Sequence, residues 1–100
     1  MELSEERILR TIFEVVDEVN KMLPEERRLQ KSPDTFLAGD SGNLDSLGLI
    51  NFIVELEGGL QKDFGLTVNL FESLEMPEEP MKSIDRLAGF IHSRAKGEGI

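Results

Sequence analysis

The chain's 100 residues include 20 acidic and 11 basic side chains, for a formal net charge of -9, and no cysteine. Phosphate backbones and anionic membrane surfaces repel such a chain, and without thiols it has no disulfide, thiolate metal site or thiol nucleophile. This length suits one domain with one modest core, expected to span residues 1–100 with its ordered part over 4–94.

The first predicted element is a helix from Ser4 to Leu23. Ile8, Leu9, Ile12, Phe13, Val15, Val16, Val19, Met22 and Leu23 form its apolar stripe. Ser4 suits the N-cap, Glu5 and Glu6 favour the positive end of the helix dipole, and Leu3 and Ile8 occupy the two positions of a hydrophobic staple. Pro24 ends the pattern. Pro24 to Asp45 has no sustained period, which reads as a long first loop. Leu29, Phe36, Leu37 and Leu44 are placed to pin it onto the core.

A helical signal returns at Ser46. Leu49, Ile53, Leu56, Leu60 and Phe64 follow spacings of three and four, and Leu47, Ile50 and Val54 form a second apolar row. Gly58-Gly59 interrupts the stripe at about 1 kcal/mol per glycine against alanine, so a break, kink or helix end is expected there. Beyond "KDFG", Thr67-Val68 reads as briefly extended. Asn69 is placed to cap a short helical turn through Leu70, Phe71 and Leu74, and Pro77 and Pro80 keep it short. Ser83 caps a final helix with Ile84, Leu87, Ala88 and Ile91 on one face. The tail "KGEGI" is expected to fray. No repeat and no convincing strand is present, so the fold class is all-α, a small helical bundle. The start, "MELSEERILR", has no signal-peptide apolar region, and no apolar run approaches the roughly 20 residues a bilayer demands. A cytoplasmic protein is expected.

The stretch that invites a functional reading is "GNLDSLGLINFIVELE", Gly42 to Glu57. A calcium loop starting at Asp40 would need oxygen ligands where Gly42 and Leu44 stand, glycine at Asp45 and a bidentate glutamate at Asn51, so it fails. A hydrolase nucleophile elbow, G-x-S-x-G after a strand, fails because Leu44 replaces the first glycine and no strand precedes it. The one candidate base, His92, falls on the last helix. Ser46 then has two readings. Serine at a helix start is commonly an N-cap, yet Asp45 is adequate for that role. Alternatively its oxygen carries an anionic group, which would lie near unpaired backbone N–H groups and the positive end of the dipole. Gly39, Gly42 and Gly48 leave room for an approaching enzyme.

"LDSLGLINFIVELE" resembles the modification site of acyl carrier proteins, in which the serine of D-S-L carries 4'-phosphopantetheine, added from coenzyme A by a separate phosphopantetheinyl transferase. The likeness runs roughly from Ser4 to Arg94. It takes in the first helix and long loop, and "DFGLTVNLFES" and "SIDRLAGFI" look like the short third and the fourth helices of that family. The fold implied is a small four-helix bundle of acyl-carrier type, three main helices plus one short. The function implied is not enzymatic: acyl intermediates ride as thioesters on the arm at Ser46 and are delivered to partner enzymes in fatty-acid, polyketide or related specialised biosynthesis. By this resemblance Asp45 is the acid beside the attachment site, and Leu47 is an exposed apolar residue that partners grip. Ile50, Asn51, Glu55 and Glu57 lie on the recognition helix that meets basic docking patches of transferases, synthases and reductases. No nucleic acid, membrane or metal is implied, and a monomer is expected. Asn51 stands where fatty-acid carriers often have an acid, and the segment from Ser46 to Phe64 is about one turn longer than usual; both fit a dedicated carrier for a specialised pathway. Ile50, Val54, Phe71 and Leu87 are candidates to line a shelter for a short acyl chain, the ordinary alternative being core packing. The competing reading is an acidic helical interaction module whose Ser46 is never modified.

Overall fold

The structure, a computed structural model, describes residues 4–37, 44–77 and 79–98. Leu3 of the expected staple, together with Gly39 and Gly42, lies outside them. The described residues fold as a small all-helical bundle with three main helices and one short one, the six-residue 3-10 turn near residue 70. The helices are α1 (Glu5–Asn20), α2 (Ser46–Phe64) and α3 (Ile84–Glu98), with short 3-10 turns at Glu25–Arg27 and Leu70–Glu75. Helix α1 is the central element, and α2 and α3 both pack against it. Its amphipathic stripe dictates this: Ile8, Ile12, Val16 and Val19 are buried among Phe52, Ile53, Leu56 and Leu60 of α2 and Ile84, Leu87, Ala88 and Ile91 of α3. Among the described residues no strand forms, and the only strand-like pairing is an isolated bridge between Phe36 and Ser83.

Local chemistry sets the helix ends. Ser4 Oγ accepts from the Arg7 amide at 3.3 Å, the expected cap of α1. Helix α1 stops at Asn20, three residues short of the sequence expectation. The chain tightens there into i→i+3 bonds, Met22 N–H to Val19 O and Leu23 N–H to Asn20 O, ahead of Pro24. Met22 consequently leaves the stripe and is exposed. Asn20 also acts beyond the helix end. Its side chain donates to Leu29 O and accepts from Leu29 N–H, at 2.9 and 2.8 Å. That clamp helps bury Leu29, and Leu37 and Leu44 are buried as well. The loop is therefore pinned at three of the four expected points. Phe36 is the exception and lies exposed. Successive side chains of an extended segment point to opposite sides, so burying Leu37 turns Phe36 outward. Backbone bonds from Leu37 N–H to Lys82 O and from Ile84 N–H to Thr35 O tie the same segment to the start of α3.

Helix α2 runs unbroken through Gly58-Gly59 to Phe64, against the expected break. The helices themselves supply the reason. A Cβ on Gly59 would lie 3.3 Å from Thr11 Cγ2 and 3.6 Å from Val15 Cγ2, so glycine there lets α1 and α2 approach closely. Thr11 Oγ1 donates to Asp63 Oδ2 at 2.8 Å one turn further on, and the Arg7 guanidinium sits over the Phe64 ring. Packing at this crossing outweighs the weak helix propensity of the glycine pair. The helix ends instead at Gly65, in the left-handed conformation with φ 62°, whose N–H reaches Gln61 O while Leu66 N–H reaches Leu60 O. The second 3-10 turn buries Leu70 and Ser73 and leaves Phe71 and Leu74 exposed. Ser83 caps α3 as expected, its Oγ accepting from Arg86 N–H. The helix continues to Glu98, further into the tail than expected.

The two adjacent glycines should respond oppositely to substitution. Nothing lies within 4 Å of a Cβ built on Gly58. Gly58→Ala is therefore expected to stabilise the fold by about 0.5–1 kcal/mol in urea unfolding. Gly59→Val, forced against Thr11 and Val15, is expected to lose about 1–3 kcal/mol.

Candidate functional site

The loop-to-helix junction at residues 44–48 is built from short-range interactions. Leu44 is buried and anchors the incoming chain. Asp45 is the N-cap of α2: it is extended, its backbone O accepts from Leu49 N–H, and its Oδ1 accepts from Gly48 N–H at 2.8 Å. Gly48 is fitted beneath that cap, since a Cβ there would meet Asp45 Oδ1 at 3.2 Å and Leu44 Cδ2 at 3.3 Å. Ser46 is the first residue of α2. The cap is thus assigned to Asp45. The amides of Ser46 and Leu47 come ahead of any intrahelical acceptor, as the first amides of every helix do.

Leu47 is 69% exposed, Ile50 44% and Val54 54%. At spacings of three and four they run in one line down the solvent side of α2. This is the second apolar row of the sequence, and it does not enter the core. Large apolar side chains in such a line on a charged surface are the feature expected of a contact site. Glu55 is exposed as well, whereas Asn51 is half-buried. Glu57 is half-buried too, and its Oε2 accepts from Leu70 N–H at 2.8 Å. It thereby caps the second 3-10 turn from a distance, a role the sequence pattern assigns to Asn69, whose side chain makes no cap bond.

The expected acyl-sheltering set is not brought together. Ile50, Val54 and Phe71 are exposed, and Leu87 is wholly buried in the core against α1. His92 rides on α3, which packs on α1. Among the described residues no group of three His, Cys, Asp or Glu side chains is placed to hold a metal ion. None of the helices formed by those residues is long and apolar enough to cross a membrane.

Arg27 is a member of the site that sequence reasoning missed. It ends the first 3-10 turn, and its Nη1 lies 3.8 Å from Asp45 Oδ2. Between this turn, the end of α1 and the start of α2 lies an open recess of about 310 Å³, walled in part by Met22, Pro24 and Leu47 and edged by Arg27, Asp45 and Asn51. Nothing in the sequence signals this meeting, because Arg27 and Asp45 stand 18 positions apart across an aperiodic loop.

No family model, curated protein or solved structure matches the chain.

Replacing each carboxylate tests the two caps. Asp45→Ala is expected to cost about 1 kcal/mol in urea unfolding and Asp45→Asn much less, because asparagine still accepts from the Gly48 amide. Glu57→Ala should leave Leu70 N–H without its acceptor, costing about 1–3 kcal/mol and raising amide hydrogen exchange at Leu70.

Proposed function

We propose that the chain is an acyl carrier protein, with Ser46 the attachment point of 4'-phosphopantetheine. One observation carries the reading beyond the sequence resemblance. Asp45 satisfies the Gly48 amide and is the N-cap of α2, which puts Ser46 at the first helical position rather than at the cap. The junction fits the group chemically. A phosphodiester on Ser46 would lie at the positive end of the α2 dipole, beside amides that have no intrahelical acceptor.

In this reading Ser46 Oγ displaces 3',5'-adenosine bisphosphate from coenzyme A in the active site of a transferase. Its proton leaves to a base of that enzyme, and a phosphodiester remains on the carrier. When bound, the group supplies a terminal thiol on which an acyl chain is held as a thioester, and the chain has no cysteine to compete with it. The carrier's own residues do the presenting. Leu47, Ile50 and Val54 offer partners an apolar line on α2, and Glu55 beside it offers a charge to a basic docking patch. Glu57 keeps the neighbouring 3-10 turn in place more than it meets partners. Surface presentation fits the exposure of Ile50, Val54 and Phe71, so cargo rides outside the core and not among these side chains. A cytoplasmic monomer in fatty-acid, polyketide or related specialised biosynthesis completes the proposal. The net charge of -9 favours basic protein partners over nucleic acid or anionic membranes.

The same exposed apolar line would serve an unmodified interaction module. Incubation with coenzyme A, magnesium and a broad-specificity phosphopantetheinyl transferase separates the two. The intact mass is expected to rise by one phosphopantetheine, and Ser46→Ala is expected to remain unchanged. An unaltered wild-type mass would favour the interaction module.

A further inference from the structure

We infer that Arg27 positions the root of the prosthetic arm by taking up the charge of the phosphodiester on Ser46, an inference that rests on the attachment reading above. Arg27 is held at the edge of the recess that also borders Asp45 and Leu47, the two chain neighbours of Ser46. Its present partner binds it weakly. The contact to Asp45 Oδ2 is long at 3.8 Å, and both side chains are more than half exposed. Exposed pairs of this kind contribute little to stability. Asp45 does not depend on Arg27, since its other oxygen already holds the Gly48 amide at 2.8 Å.

A phosphodiester on the adjoining residue changes that balance. It places a second anion one residue from the Asp45 carboxylate, in a chain whose net charge is already -9. The two like charges disfavour each other unless a cation lies between them. Arginine suits that place better than lysine, because its planar fork matches two non-bridging phosphate oxygens at once. The Arg27 guanidinium already reaches residue 45, the chain neighbour of the attachment point. Attachment therefore draws Arg27 from Asp45 towards the phosphate. The first 3-10 turn is then tied to the start of α2, and the arm leaves the protein from the side where the recess opens.

The test compares wild type, Arg27→Lys and Arg27→Gln, each before and after loading by a transferase, with intact mass confirming the loaded state. Loading is expected to shift the Arg27 Nε–Hε resonance in wild type. It should lower the melting temperature of Arg27→Gln by about 2–4 °C more than that of wild type, with Arg27→Lys between the two. The excess loss should shrink at high salt. Loaded wild-type protein whose Arg27 resonance stays in place, with Arg27→Gln losing no more than wild type, would overturn the role of Arg27 and leave the attachment reading standing. Wild-type protein that gains no mass would overturn both.

Discussion

The close crossing of α1 and α2 at Gly59 is the constraint on which the other features depend. The absence of one side chain lets Thr11 and Val15 of α1 lie against the backbone of α2. The Thr11–Asp63 hydrogen bond holds the crossing a turn further on. Two interior glycines would cost an isolated helix about 2 kcal/mol, yet here one of them is the contact itself. With α2 continuous from Ser46 to Phe64, its first turn is fixed relative to α1, and residues 44–48 inherit that position.

From this anchor the faces of α2 divide the work. Phe52, Ile53, Leu56 and Leu60 point inward and hold the helix to the core. Leu47, Ile50 and Val54 point outward and keep much of their apolar surface in water. Glu57, between the two sets, caps the 3-10 turn at Leu70. Three large aliphatic residues thus stay solvent-accessible along the first half of α2. The proposed carrier role accounts for both the outward line and the serine at the head of the helix.

Much of this was legible in the sequence, where local rules govern. The caps at Ser4, Asp45 and Ser83 and the inward faces of the three helices follow from periodicity and capping chemistry. What escaped the sequence depends on contacts between distant segments. Gly58-Gly59 reads as a break because propensity is a local quantity, whereas the contact with Thr11 is not. Phe36 looks like a loop anchor until the alternation with Leu37 is seen. Asn69 looks like a cap, but Glu57, 12 positions earlier, does that work. A wide apolar stripe such as that of α2 does not say how much of its width a single neighbouring helix can cover, so the outward turn of Val54 is visible only in the fold. Arg27 escaped for a similar reason, since only the folded loop brings it to Asp45.

The chemistry attributed to Ser46 is the claim on which the functional reading stands. It is tested most directly by isolating the protein from cells that contain its own partner enzymes, digesting it, and fragmenting the peptide that holds residues 44–48 in a mass spectrometer. The expected result is a peptide that releases a pantetheine fragment and retains a phosphate-derived change at residue 46 alone. A peptide recovered only with an unaltered serine, or with the group on another residue, would contradict it.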